Sequence, residues 1–221
     1  NEYFGGMIRA LADRYDGHPD LEAVDISIVG AWGEGAGSEL LSRQTREILI
    51  DAYTESFKKT PLIALLMDKE TNIYADSRIT VGWRVDCLGD LGFWAEEQNG
   101  WSHMNDFYPR EIINCNVQDD WKKSHVSFEI CGTFLSWRDK QKYNRGQVQY
   151  IFDQSLKWHI SSFNAKSSPV PEEWQDLVDG WLKKMGYRYV LRRFTYPEAV
   201  HQNGKLTFTT WWENKGVAPC Y

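Results

Sequence analysis

The chain has 221 residues, enough to bury one large core, and its 31 acidic against 25 basic residues give a formal net charge of -6. That balance leaves no basic stripe for a phosphate backbone, which argues against nucleic acid as a partner. No run approaches the roughly 18 to 20 consecutive apolar residues of a bilayer-spanning helix, so the sequence gives no reason to expect a membrane either.

The first residues carry no charged n-region and no apolar h-region, and a piece cut from a longer protein is the expectation. Residues 4 to 15, "FGGMIRALADRY", place Ile8, Leu11, Ala12 and Tyr15 at helical spacing, and the turn "DGHPD" closes that helix. A strand follows in "VDISIVGAWGEGAGSELL" (Val24 to Leu41), which breaks into glycines around one carboxylate, Glu34. "SELLSRQTREILIDAYTESFKK" then repeats Leu41, Thr45, Ile48, Ala52 and Tyr53 as a second helical stripe. Strand, loop and helix make one βα unit.

The pattern recurs without the sequence recurring. "PLIALLMD" (Pro61 to Asp68) is a nearly continuous apolar run, as a strand buried on both faces requires. Further strands are expected in "ITVGWRVDCLGD" (Ile79 to Asp90), "HVSFEICGTF" (His125 to Phe134) and "WHISSFNAK" (Trp158 to Lys166). Helical stretches lie in "PREIINC", "NRGQVQYIFDQSL" and "PEEWQDLVDGWLKKM", the last with Pro171 placed to start a helix and Gly186 to end it. Alternating buried strands and helices predict an α/β fold, a parallel sheet with helices packed outside it. Beyond Pro197 the texture changes: "GKLTFTTWWENKGVAP" alternates with a period of two. Two units are therefore expected, residues 1–197 as barrel-type α/β and 198–221 as the start of a β-sandwich.

The five strands end in polar residues: Glu34, Asp68, Asp86, Glu129, and Asn164 with Lys166. In a (β/α)8 barrel, chemistry sits on the loops that follow the strands. Glycosidic hydrolysis needs one carboxyl to protonate the leaving oxygen and a second to attack or to activate water. Glu34 and Glu129, with two strands between them, meet that demand as the catalytic pair.

Substrate contacts are expected from Asp68, Arg84, Asp86, His103, Asn164 and Lys166, with Trp32, Trp101 and Trp137 as flat platforms for sugar rings. For single members the sequence leaves plainer readings open. Any Trp can fill a core, Asp86 and Arg84 can be a structural ion pair, and Asn164 and Lys166 can be solvated loop residues.

"DISIVGAWGEG", "VSFEICGTF", "WHISSFNAKSSPVPEEW", "MGYRYVL" and "WWENKGVAP" resemble the clan A (β/α)8 glycoside hydrolases, more narrowly a group of bacterial β-galactosidase-like proteins in which a barrel precedes a small β-sandwich. The resemblance spans nearly the whole chain and implies that it covers barrel strands four to eight. It implies Glu34 as acid/base, Glu129 as nucleophile and a carbohydrate substrate. Where most clan A enzymes have Asn before the strand-four glutamate, this chain has Gly33. That departure leaves retaining and inverting chemistry both open.

Other classes fit less well. Gly33-x-Gly35-x-Gly37 lacks the spacing of a dinucleotide fingerprint, and Glu34 would aim a negative charge at the phosphates. No P-loop lysine motif and no GxSxG elbow occur. The five scattered His give no metal spacing, and no cofactor is expected. A non-catalytic carbohydrate-binding barrel is the alternative reading. The four cysteines show no CxxC pair and are expected to be unpaired thiols, with a Cys87–Cys131 bridge open because both would lie near the ends of neighbouring strands. Oligomeric state is not legible.

Overall fold

A computed structural model describes residues 2–30, 34–35, 37–93 and 100–221. Trp32 lies outside the described residues, as do Gly33 and Trp94. Helix α1 (Glu2–Tyr15) leads into strand β1 (Val24–Asp25), α2 (Arg43–Thr54), β2 (Leu62–Leu65), α3 (Lys69–Arg78) and β3 (Val81–Leu88). Then come α4 (Tyr108–Asn114), β4 (Val126–Ile130), α5 (Phe134–Asp139), α6 (Arg145–Lys157), β5 (Ser162–Asn164) and α7 (Gln175–Leu182). Strands β6 (Tyr189–Thr195) and β7 (Thr209–Asn214) close the order.

Strands β1 to β5 form one sheet in the order β1-β2-β3-β4-β5, every neighbouring pair parallel. Spatial order equal to chain order is what a singly wound barrel gives and a doubly wound sheet does not. The sheet is curled into a half-barrel with helices on its outer side. Strands β6 and β7 pair antiparallel in a separate two-stranded sheet, much of it exposed: Trp211 keeps 62% of its surface and Trp212 52%.

Side chains alternate across a strand, and residues paired in a parallel register share a face. Val24, Leu62, Ala64, Val81, Trp83, Val85, Val126, Phe128 and Ile130 therefore lie on one side, where all but the partly buried Val24 are buried. They pack against Ile8 and Ala12 of α1, Leu49, Ile50 and Tyr53 of α2, Tyr108 of α4, Ile151 and Phe152 of α6, and Val178 and Trp181 of α7. The opposite, concave side carries Asp25, Leu65, Arg84, Asp86, Ser127, Glu129, Ser162 and Asn164. This inner face is largely polar, so its groups must find partners on the sheet itself or be offered to a ligand.

Two helices had no counterpart in the sequence reading. Helix α3 buries only Thr71, Asn72 and Ala75, so it shows no apolar stripe. Its start is fixed by Asp68, whose side chain accepts the Thr71 N–H. Helix α5 starts from a capping box between Thr133 and Ser136. The expectation of unpaired cysteines at 87 and 131 is overturned: the two form a disulfide between the ends of β3 and β4, while Cys115 and Cys220 are free.

Candidate active site

Glu34 sits in the loop after β1, half-buried, over the C-terminal ends of the strands. Gly35 follows it at φ 73°, a left-handed conformation, and a Cβ there would lie 3.4 Å from the Asp68 Cβ. Glycine thus lets the loop lie against the end of β2. From the other side Arg46 of α2, buried to 5% exposure, donates to the Ser38 carbonyl and pairs with Glu70 at the start of α3. These contacts brace the loop on either side of Glu34 against α2, α3 and the end of β2.

A cavity of about 710 Å³ opens beside it, lined among others by Glu34, Ser38, Arg46, Met67, Asp68 and Asp86. Asp86 lies on the inner face of β3, and its Oδ1 is buried without a hydrogen-bond partner. Burial raises the Asp86 carboxyl above the ordinary aspartate value, opposed by its own backbone N–H and by His103 and Arg84. Glu34 is raised above the ordinary glutamate value, first by desolvation, then by the negative charges of Asp86 and Glu129; Arg84 and Lys166 pull it partly back. Glu129 stands one strand further round, outside the residues that line the cavity. Its Oε1 lies 2.8 Å from the Lys166 ammonium and its Oε2 accepts the Asn164 amide at 3.1 Å.

The predicted residues divide into two groups. Glu34, Asp86, Glu129, Asn164 and Lys166 come together at the C-terminal ends of the strands, and the plain loop-solvation reading of Asn164 and Lys166 gives way to a shared role on Glu129. Asp68 reaches the cavity wall, but both its oxygens are engaged by Thr71 as the cap of α3. Arg84 is paired with Asp25 across the inner face of β2.

Trp137 is not a sugar platform. It is fully buried in the core beneath β4 with its indole N–H on the Cys131 carbonyl at 2.8 Å, because position 137 falls on the inward side of α5. His103 is not a rim contact either: it is 4% exposed, and its Nδ1 lies 2.7 Å from the Oδ2 of the fully buried Asp90. Trp101 keeps partial exposure in the loop after β3 and meets His103 edge-on at 4.8 Å.

Asp25 and Asp90 escaped the sequence reading. The signal that could have found Asp25 is that it is the one charged residue inside the apolar run that opens β1. Asp90 stands at the end of the stretch read as the third strand, and nothing local marked it as the partner of a histidine 13 positions on. Among the described residues no group of three His, Cys, Asp or Glu is arranged to hold a metal ion, and no helix is long and apolar enough to cross a membrane. No family model, curated protein or solved structure matches the chain.

Proposed function

We propose that the chain is part of a (β/α)8 glycoside hydrolase that cleaves a glycosidic bond between two carboxyl groups, Glu34 as general acid and base and Glu129 as nucleophile. The observation that carries the reading is the company Glu34 keeps. Its own burial and two neighbouring carboxylates favour its protonated form, and a general acid near neutral pH needs that bias. Glu129 meets the opposite surroundings, an ammonium on one oxygen and an amide on the other. Charge-assisted hydrogen bonds of this kind orient a carboxylate and hold its rotamer for attack. Two carboxyl groups whose surroundings differ in this way suit the acid and nucleophile of sugar transfer.

Asp86 supplies a third carboxylate in the cavity wall, suited to accept a hydrogen bond from a sugar hydroxyl. Of the three tryptophans expected as platforms, Trp101 is the described one that keeps partial exposure.

The reading is tested by screening the full-length protein on a panel of aryl glycosides beside Glu34→Gln and Glu129→Gln. At least one glycoside is expected to turn over, and each variant to lose about a hundredfold or more in kcat, in line with loss of a positioned acid or nucleophile. Wild type and both variants behaving alike on every glycoside would overturn it. Sugar binding without turnover in wild type would leave the non-catalytic binding barrel instead.

A further inference from the structure

We propose that the Cys87–Cys131 disulfide is a positioning element for the site, holding the ends of β3 and β4 so that Asp86 and Glu129 keep a fixed placement about Glu34. The catalytic part of this inference rests on the function proposed above; the structural part does not.

The bridge sits where the β3–β4 ladder is weakest. Pairing runs Trp83↔Val126, Arg84↔Ser127 and Val85↔Phe128, then shifts register and resumes at Leu88↔Ile130. Three steps along β3 answer two along β4, so β3 carries one extra residue in the stretch that contains Asp86 and Cys87. Such a bulge leaves a residue without its ladder bond and bends the strand locally. Asp86 is therefore presented from the interrupted part of the β3–β4 ladder. Cys87 follows it directly, and Cys131 comes two residues after Glu129.

The surroundings grip both half-cystines. The Cys87 N–H donates to the Tyr108 hydroxyl at 3.0 Å, the Cys131 carbonyl accepts the Trp137 indole N–H, and the Cys131 N–H donates to the Leu88 carbonyl at 2.8 Å. Tyr108 and Trp137 are fully buried, so each strand end is anchored to its own outer helix. Three contacts tie the two ends to each other: the Cys131 N–H bond, the Trp137 ring packed on Gly89 just after β3, and the disulfide, which is the covalent one.

Opening the bridge with a dithiol transfers two electrons and two protons to the sulfurs, leaving thiols at Cys87 and Cys131 and the reductant as its own disulfide. The bulge is then free to move against β4, and the negative charge that Asp86 and Glu129 place at Glu34 loses its fixed position.

The test is a carbon-13 NMR titration of the Glu34 side-chain carboxyl in the full-length protein. It is measured oxidised, after dithiothreitol, and in Cys87→Ser/Cys131→Ser, with Cys115→Ser as control. The oxidised protein and the control are expected to titrate above the ordinary glutamate value, and the two opened forms to shift measurably toward it. Aryl-glycoside kcat is expected to fall at least tenfold in the opened forms, with KM changed less than twofold.

An unchanged Glu34 titration in an opened protein that is still folded by circular dichroism would overturn the proposal. If no form turns over any glycoside, the hydrolase reading fails while the titration still decides this one. Should the serine pair not fold, Cys87→Ala/Cys131→Val refills the buried volume. Loss of fold in every opened form would show that the bridge serves the whole fold and not these two strand ends, which also refutes the inference.

Discussion

Arg84→Met is the sharpest probe of the inner face. The substitution keeps the aliphatic length of the side chain and removes its cation. In the native protein Arg84 is 13% exposed and Asp25 28%, and Asp25 Oδ1 already lacks a hydrogen-bond partner. The variant leaves Asp25 with a buried charge and no ion partner across the face. Removing one member of a buried pair costs about 3 to 5 kcal/mol; the quarter of Asp25 still in contact with solvent lowers this to about 2 to 4 kcal/mol. For a chain of this size that is a fall in Tm of roughly 5 to 15 °C.

The loss depends on pH with a definite sign. Burial holds the Asp25 carboxyl above the ordinary aspartate value even against the pull of Arg84, and without Arg84 it moves further up. The folded variant then binds more protons than the unfolded chain over that window, so its stability falls as pH rises through it. Thermal unfolding followed by circular dichroism at pH 7 and pH 4 should show the larger loss at pH 7. Asp25→Asn in the same chain should recover part of it, since a neutral amide does not need the cation, the remainder being the charge compensation that Arg84 also gives Asp86 and Glu34. A loss below about 0.5 kcal/mol, or one equal at both pH values, would refute the claim that Arg84 compensates a buried charge.

Gly89→Ala should be among the most damaging small substitutions. Gly89 has φ 97°, and a Cβ there would meet the Trp137 ring at 2.0 Å; left-handed strain and overpacking together cost about 3 to 5 kcal/mol, read as a lower urea midpoint, and a loss under about 1 kcal/mol would contradict the packing of Trp137 across the strand end. Asp86→Asn should move stability the other way. Because burial raises the Asp86 carboxyl, its ionised form opposes folding above the ordinary aspartate value, so the variant should melt higher than wild type at about pH 7 and match it near about pH 3.5; a lower melting point at about pH 7 would mean that the charge is compensated.

Much of the sheet was legible because its outer face is strictly apolar. Val126, Phe128 and Ile130 alternate with Ser127 and Glu129, and Leu62 to Leu65 run apolar throughout. What escaped was carried by partners distant in sequence or by caps. Helix α3 has no hydrophobic stripe, and only its Asp68–Thr71 cap announced it. Trp137 and His103 were misplaced for one reason: a residue type that can serve a site or a core says nothing of which until α5 and the loop after β3 are folded, and folding turned both inward. Glu34 and Glu129 were legible as strand-end acids. Their differing surroundings were not, because Lys166 and Asp86 reach them from other strands. Strand β6, which starts at Tyr189 within the stretch 1–197, carries its apolar residues on exposed positions and pairs with β7.

The polar inner face also specifies the fold it stands on. Each of its rungs closes in one register only: Ser162 donates to Ser127 at 3.0 Å, Asn164 to Glu129 at 3.1 Å, and Arg84 to Asp25. A slip of β4 by one residue would turn Val126, Phe128 and Ile130 inward and set Ser127 and Glu129 against the helices. The three apolar side chains alone would forfeit about 5 to 9 kcal/mol of burial, and Glu129 would be buried without Lys166 or Asn164. The slipped sheet is therefore excluded twice, by lost apolar burial on one side and by stranded polar groups on the other. The polar pairs that close these rungs are thus what make the register unique, and variants that remove Asn164, Ser162 or Arg84 should loosen strand pairing before they disturb the helices.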